Sequence, residues 1–234
     1  MLFRRLRAVP LAAPVLLLVG FGVGNITNRA LAAPEPTSAL ALADTEQPRV
    51  HLEALSARMR TLREDGARTV DYVTLYREQV EPVERVLLRR GVPERYVRQI
   101  SWPLVENSYA KGIDPATVAA VLIMESGGKP TARSSVGARG LMQVMPFWAG
   151  RWRGCGSDLY NIEENICNGT SILAWYLRSH PNERQALLGY NGCVRGTNTP
   201  NCFTYPEKVL RLREQIKREI QREQARIQTS TGAD

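Results

Sequence analysis

Glu125 is the side chain of this sequence best placed for chemistry. It follows Val118, Val121 and Leu122 by seven, four and three residues, so on a helix it shares their apolar stripe. Ionising a carboxyl there is expensive, because desolvation raises its pKa and the negative end of the helix dipole pushes in the same direction. A carboxyl that keeps its proton near neutrality is what a general acid requires. Position alone leaves a second reading open, a glutamate at a fraying helix end turned to solvent just before Gly127-Gly128. The other chemistry-bearing residues are Cys155, Cys167, Cys193 and Cys202, all within 48 residues of the C-terminal half. There is no C-x-x-C, and His51 and His180 lie at no ligand-like spacing from them, so disulfides are expected rather than a metal site. Three pairings are possible; the short Gly-rich loops that would be closed favour Cys155 with Cys167 and Cys193 with Cys202.

The elements that must carry these residues read as helices. Val73, Tyr76, Val80, Val83 and Leu87 alternate steps of three and four, with Pro82 as a break or kink and Gly91 as the stop. Pro93 and Glu94 open a second stretch holding Ile100, Leu104, Val105 and Tyr109, which Gly112 closes. Asp114 then caps the helix of Glu125, with Pro115 at its first position. After it comes a loop of small residues leading into a short helix. Helices are expected over Asn161 to Ser179 and Glu183 to Tyr190, and a last one over about 206–228. That last helix carries Val209, Leu212, Ile216 and Ile220 on one face and reads as a solvated helix docked by that face. No segment shows strand alternation, so the fold class is all-α, with at most a minor β element.

Of 234 residues, 44% are apolar and 23% charged, which excludes a disordered chain. The net charge of +8 invites a nucleic-acid reading, but Arg4, Arg5, Arg7 and Arg29 sit in a segment that reads as an export signal. That segment, residues 1–32, has an apolar stretch from Ala8 to Val23 and a small-residue site at Ala30-Leu31-Ala32. Its removal would leave +4, and no nucleic-acid partner is expected. Residues 33–48, rich in Ala and Pro, read as a linker. A helical extension over 49–94, a domain over 95–210, the C-terminal helix and a flexible tail over 229–234 complete the expected organisation. The chain is expected to be exported to the periplasm, an uncleaved inner-membrane anchor being the alternative.

Four ordered motifs then add a family. Glu125-Ser126-Gly127-Gly128, Gly137-Ala138-Arg139-Gly140-Leu141-Met142-Gln143, Asn161-Ile162 with Asn165-Ile166 and Gly169, and Tyr190-Asn191-Gly192 closely resemble the lytic transglycosylases. Their catalytic domain is similar to goose-type lysozyme. The resemblance covers about residues 95–210 and implies a mainly helical lysozyme-like domain acting on peptidoglycan glycan strands. It makes Glu125 the sole catalytic acid and base, with Ser126, Gly140, Met142 and Gln143 binding substrate at the cleft, Tyr190 and Asn191 on the sugar near the scissile bond, and Tyr205 packed close to Glu125. Gly189 and Gly192 stand where the family more often has alanine. Neither a metal nor another cofactor is implied, a monomer is expected, and recruiting envelope or secretion-system proteins are not identified.

A glycosidase normally uses two carboxylates. Between Glu125 and Glu183 the other acids are Asp158, Glu163 and Glu164, none inside a matching motif, and they read as loop and helix-start charges. With one carboxyl the reaction still proceeds if the substrate's acetamido group and its muramyl 6-hydroxyl take part. The competing readings are a hydrolytic muramidase and an inactive peptidoglycan-binding scaffold. Trp148, Trp152 and Trp175 suit sugar faces but read as core.

Overall fold

The computed structural model describes residues 54–61, 70–193 and 202–231. The expected export segment, the linker and the tip of the Cys193–Cys202 loop lie outside these residues. The described chain is built from α1 (54–61), α2 (Val70–Leu75), α3 (Glu81–Arg89), α4 (Glu94–Ala110), α5 (Pro115–Ser126), α6 (Ile162–Ser179), α7 (Glu183–Asn191) and α8 (Tyr205–Thr231). Among the described residues the only β pairing is two isolated bridges, Arg133 with Arg139 and Arg139 with Val144, so the all-α expectation is borne out.

Pro82 acts as anticipated, though through a π-helical turn rather than a break. Tyr76–Val80 form that turn between α2 and α3, and the Glu81 N–H reaches back to the Tyr76 carbonyl. A proline ring has no N–H and presses on the carbonyl four residues before it, here that of Glu78. The Gln224 amide of α8 donates to this Glu78 carbonyl at 3.2 Å. The inserted turn also rotates the apolar face. Val80, Val83 and Leu87 are buried, whereas Val73, read as part of the same stripe, is exposed.

Helix α5 is the centre of the core. Its residues from Ala116 to Leu122 are all buried, so it is apolar around its whole circumference and is enclosed on every side. Its start is capped as expected, the Asp114 carboxylate accepting the Ala116 N–H at 2.8 Å. It packs against α4 and, more extensively, α8, while α4 lies on α6 and α6 on α7. Helix α8 is docked by the expected face, with Val209 and Ile216 buried and Leu212 and Ile220 packed against the core, and it forms a wall of that core. Val209 and Ile216 are fully buried in it, and Glu223, also buried, accepts from Arg89 of α3 at 2.9 Å. It begins one residue earlier than expected, at Tyr205, and reaches Thr231. The helices expected as an N-terminal extension share this core through Met59, Val80, Val83, Val86 and Leu87.

Candidate active site

Glu125 occupies the last turn of α5. The helix stops there because Gly127 takes a left-handed conformation (φ 61°) that lets its N–H bond the Ile123 carbonyl at 2.9 Å. Ser126 reinforces the stop: its hydroxyl donates to the Leu122 carbonyl at 3.3 Å and accepts the Gly128 N–H at 3.2 Å. Part of the Glu125 side chain reaches the surface, but its carboxyl is stripped of water. Burial pushes its pKa up to about 7, against the opposing effect of a hydrogen bond from Tyr205. The Tyr205 hydroxyl donates to Glu125 Oε1 at 2.5 Å. Of the two sequence readings of Glu125, the structure has the desolvated acid.

Tyr205 is in place because two covalent and packing constraints meet there. It is the first residue of α8, preceded by a 3-10 turn, Cys202–Thr204, and Cys202 is bonded to Cys193 just beyond α7, with Cα atoms 5.7 Å apart. The second disulfide joins Cys155 to Cys167 of α6 (Cα–Cα 5.5 Å), so both favoured pairings are present.

Facing the acid is the turn that carries the second motif. Gly140 has φ 74°, and a Cβ there would collide with the Asn165 amide and the Leu159 carbonyl, so only glycine fits. Asn165 holds the turn from α6: its amide oxygen accepts the Met142 N–H at 2.8 Å, and its amide nitrogen donates to the carbonyls of Arg139 (2.9 Å) and Leu159 (2.7 Å). Gln143, at φ 47°, spends its amide nitrogen on the Gly140 carbonyl at 2.9 Å. Met142 is fully buried and packs against Gly169, so its side chain is core, and what it turns toward the site is its carbonyl. That carbonyl accepts the Tyr190 hydroxyl at 2.9 Å. Burial first, and then the charge of Glu125, hold the Tyr190 hydroxyl well above its ordinary pKa, and the same two causes act on Tyr205. Both phenols are therefore hydrogen-bond donors at any working pH. Asn191 ends α7, half-buried, beside Gly192.

Asp158, Glu163 and Glu164 are placed elsewhere. Glu164 accepts the Asp158 N–H at 2.6 Å, Asp158 accepts the Tyr160 N–H at 2.9 Å, and Glu163 sits in the first turn of α6. Among the described residues no carboxylate acts on Glu125, and no group of three or more His, Cys, Asp or Glu is placed to hold a metal ion. Asn165 is the positioning residue that the sequence reading left without a role, although its motif was in view. Of the three tryptophans read as core, Trp175 is a correction. Trp175 is 39% exposed and Phe147 56%, while Trp148 and Trp152 are half-buried against the core. Pro146–Trp148, the expected short helix, is a single 3-10 turn that leaves Phe147 outward.

Residues 103–200 match the family model of the Transglycosylase SLT domain. Over 104 residues, 42% of this chain and 37% of the other, the sequence is 38% identical to the transglycosylase of Enterobacteria phage PRD1. It is 40% identical over 88 residues to an endo-type membrane-bound lytic murein transglycosylase A of Klebsiella pneumoniae (33% of this chain, 43% of that one). With the protein of the same description from Cronobacter sakazakii it shares 40% identity over 119 residues (46% and 52%). The chain thus spans about half or less of the length of these relatives. The family read from the motifs is borne out as a match: residues 103–200 are similar to the SLT-type transglycosylase domain.

Proposed function

We propose that the protein is a peptidoglycan lytic transglycosylase, cleaving the β-1,4 bond between N-acetylmuramic acid and N-acetylglucosamine and leaving 1,6-anhydromuramyl ends. The observation that carries this reading is a single desolvated carboxyl, Glu125, which lies in the matched residues 103–200 and accepts a hydrogen bond from Tyr205 just beyond them. In its protonated form Glu125 donates to the glycosidic oxygen as the C1–O4 bond breaks. The muramyl acetamido group supports the positive charge that develops at C1. The muramyl 6-hydroxyl then attacks C1 and returns its proton to the Glu125 carboxylate, so the acid is regenerated and no water is consumed. Tyr205 fixes the rotamer of the carboxyl, and Tyr190, by donating to the Met142 carbonyl, fixes the turn opposite. Gln143, Ser126 and Asn191 complete the sugar-facing surface in this reading, and Gly140, itself buried, lets the turn that carries Gln143 close against Asn165.

No residue set for a cofactor is invoked. The two disulfides support an oxidising compartment, and with it export to the periplasm. No described helix is long and apolar enough to cross a membrane. The test is mass spectrometry of the products from purified murein. Anhydro ends support the reading; reducing ends would make the protein a hydrolase, and no products a binding scaffold.

A further inference from the structure

We propose that Phe147 and Trp175 form a stacking platform for the glycan strand beyond the scissile bond, an extension of the reading above and resting on it. The surface is made by rings in succession. Tyr190, beside Glu125, meets Tyr176 of α6 edge-on with ring centroids 6.4 Å apart. Tyr176 meets Trp175 at 4.7 Å, Trp175 meets Trp148 at 5.8 Å, and Trp148 meets Phe147 at 5.4 Å. The run begins at the candidate acid's neighbour and ends at rings that water touches. Phe147, at the end of the run, is 56% exposed, and Trp175, in its middle, is 39% exposed, so each leaves part of a ring open to a ligand.

Their position explains what would cover them. The 3-10 turn of Phe147 begins three residues after Gln143, and Trp175 reaches Tyr190 through Tyr176, so the platform extends from the side of the site that Tyr190 occupies. Each ring-to-ring step is comparable with the size of one pyranose. A β-1,4-linked amino-sugar chain presents its C–H faces as flat apolar surfaces, and rigid aromatic rings bury such faces without loss of hydrogen bonds. The occupant is therefore the glycan of the substrate strand itself, held at sugars that do not react. Binding there would serve polymeric substrate and contribute little to short fragments.

The experiment uses the full chain carrying Glu125→Gln, which binds without turnover, and titrates it calorimetrically with the β-1,4-linked hexamer of N-acetylglucosamine. Adding Phe147→Ala and Trp175→Ala should weaken hexamer binding about tenfold at a temperature where both proteins are fully folded by circular dichroism. Phe147→Tyr with Trp175→Phe, which keep the rings, should stay within twofold of the parent. Unchanged affinity in the alanine pair would overturn the platform, as would an equal loss in the ring-keeping pair. Should the alanine pair not fold, Phe147→Ala alone carries the test, with a loss of about threefold expected and none contradicting the proposal. Failure of the transglycosylase reading is distinct, since it shows in the products of the unsubstituted protein and not in hexamer affinity.

Discussion

Glu125 and Tyr205 oppose each other, and the sign of each effect can be read in a pH profile. Burial raises the carboxyl pKa to about 7 and the Tyr205 hydrogen bond lowers it. Activity should therefore persist to near neutrality and fall as pH rises through about 7. Tyr205→Phe removes a donor to the charged form, so the alkaline limb should move to higher pH while kcat falls about tenfold through a less ordered carboxyl. An unmoved limb would mean that the bond does not reach the reacting group. Asp158→Asn, Glu163→Gln and Glu164→Gln should leave the limb in place, and loss of turnover with the fold preserved in any one of them would reveal a second catalytic carboxylate. The same shift has a cost to folding. A raised folded-state pKa contributes stability that is complete below the unfolded glutamate value and is lost as pH rises toward about 7. Glu125→Gln should accordingly unfold like the parent at pH 4 and be more stable at pH 8, by on the order of 2 kcal/mol in urea denaturation. The position of Glu125 was legible because spacings of three, four and seven to apolar residues state a helical face. Tyr205 was not legible from spacing, since 80 residues separate it from the acid, and only resemblance pointed to it.

At the scale of elements, the site depends on how two turns are held rather than on the helices alone. The stop after α5 is written locally in Ser126, Gly127 and Gly128, and it could be read from the chain. The Gly140–Gln143 turn is local only in part, because Asn165 holds it from another element with two hydrogen bonds, to the Arg139 carbonyl and from the Met142 N–H, and ties it to Leu159 with a third. Asn165→Ala should cost about 2 to 4 kcal/mol and reduce turnover more than tenfold even where the protein remains folded, as chemical denaturation and assays below the melting transition would measure. Wild-type turnover would show that the turn's geometry is irrelevant to the site. Pro82 illustrates the limit of local reading. Its sequence announced a disturbance in the helix, but the form depended on α8, whose Gln224 takes the carbonyl that the proline leaves free. That partner is 146 residues from Glu78.

For the whole molecule, α8 connects the core to the chemistry. It presents Val209 and Ile216 to the interior and Tyr205 to Glu125, and the Cys193–Cys202 bond ties its start to α7. The apolar stripe of α8 was readable, as was the disulfide pairing from its short loops. That the stripe packs on α5, and so makes α8 a wall of the site, follows from long-range packing that periodicity does not encode. Ile216→Ala should destabilise the fold by about 3 kcal/mol, measured by thermal or urea unfolding, while activity per folded molecule is retained. What the assembled molecule does to its substrate is read most directly by digesting murein in heavy-oxygen water and weighing the muramyl ends. Transglycosylation by a single carboxyl predicts anhydro ends free of the label, because the 6-hydroxyl of the sugar closes the bond. Label at C1 of reducing muramyl ends would contradict the account and assign the attack to water.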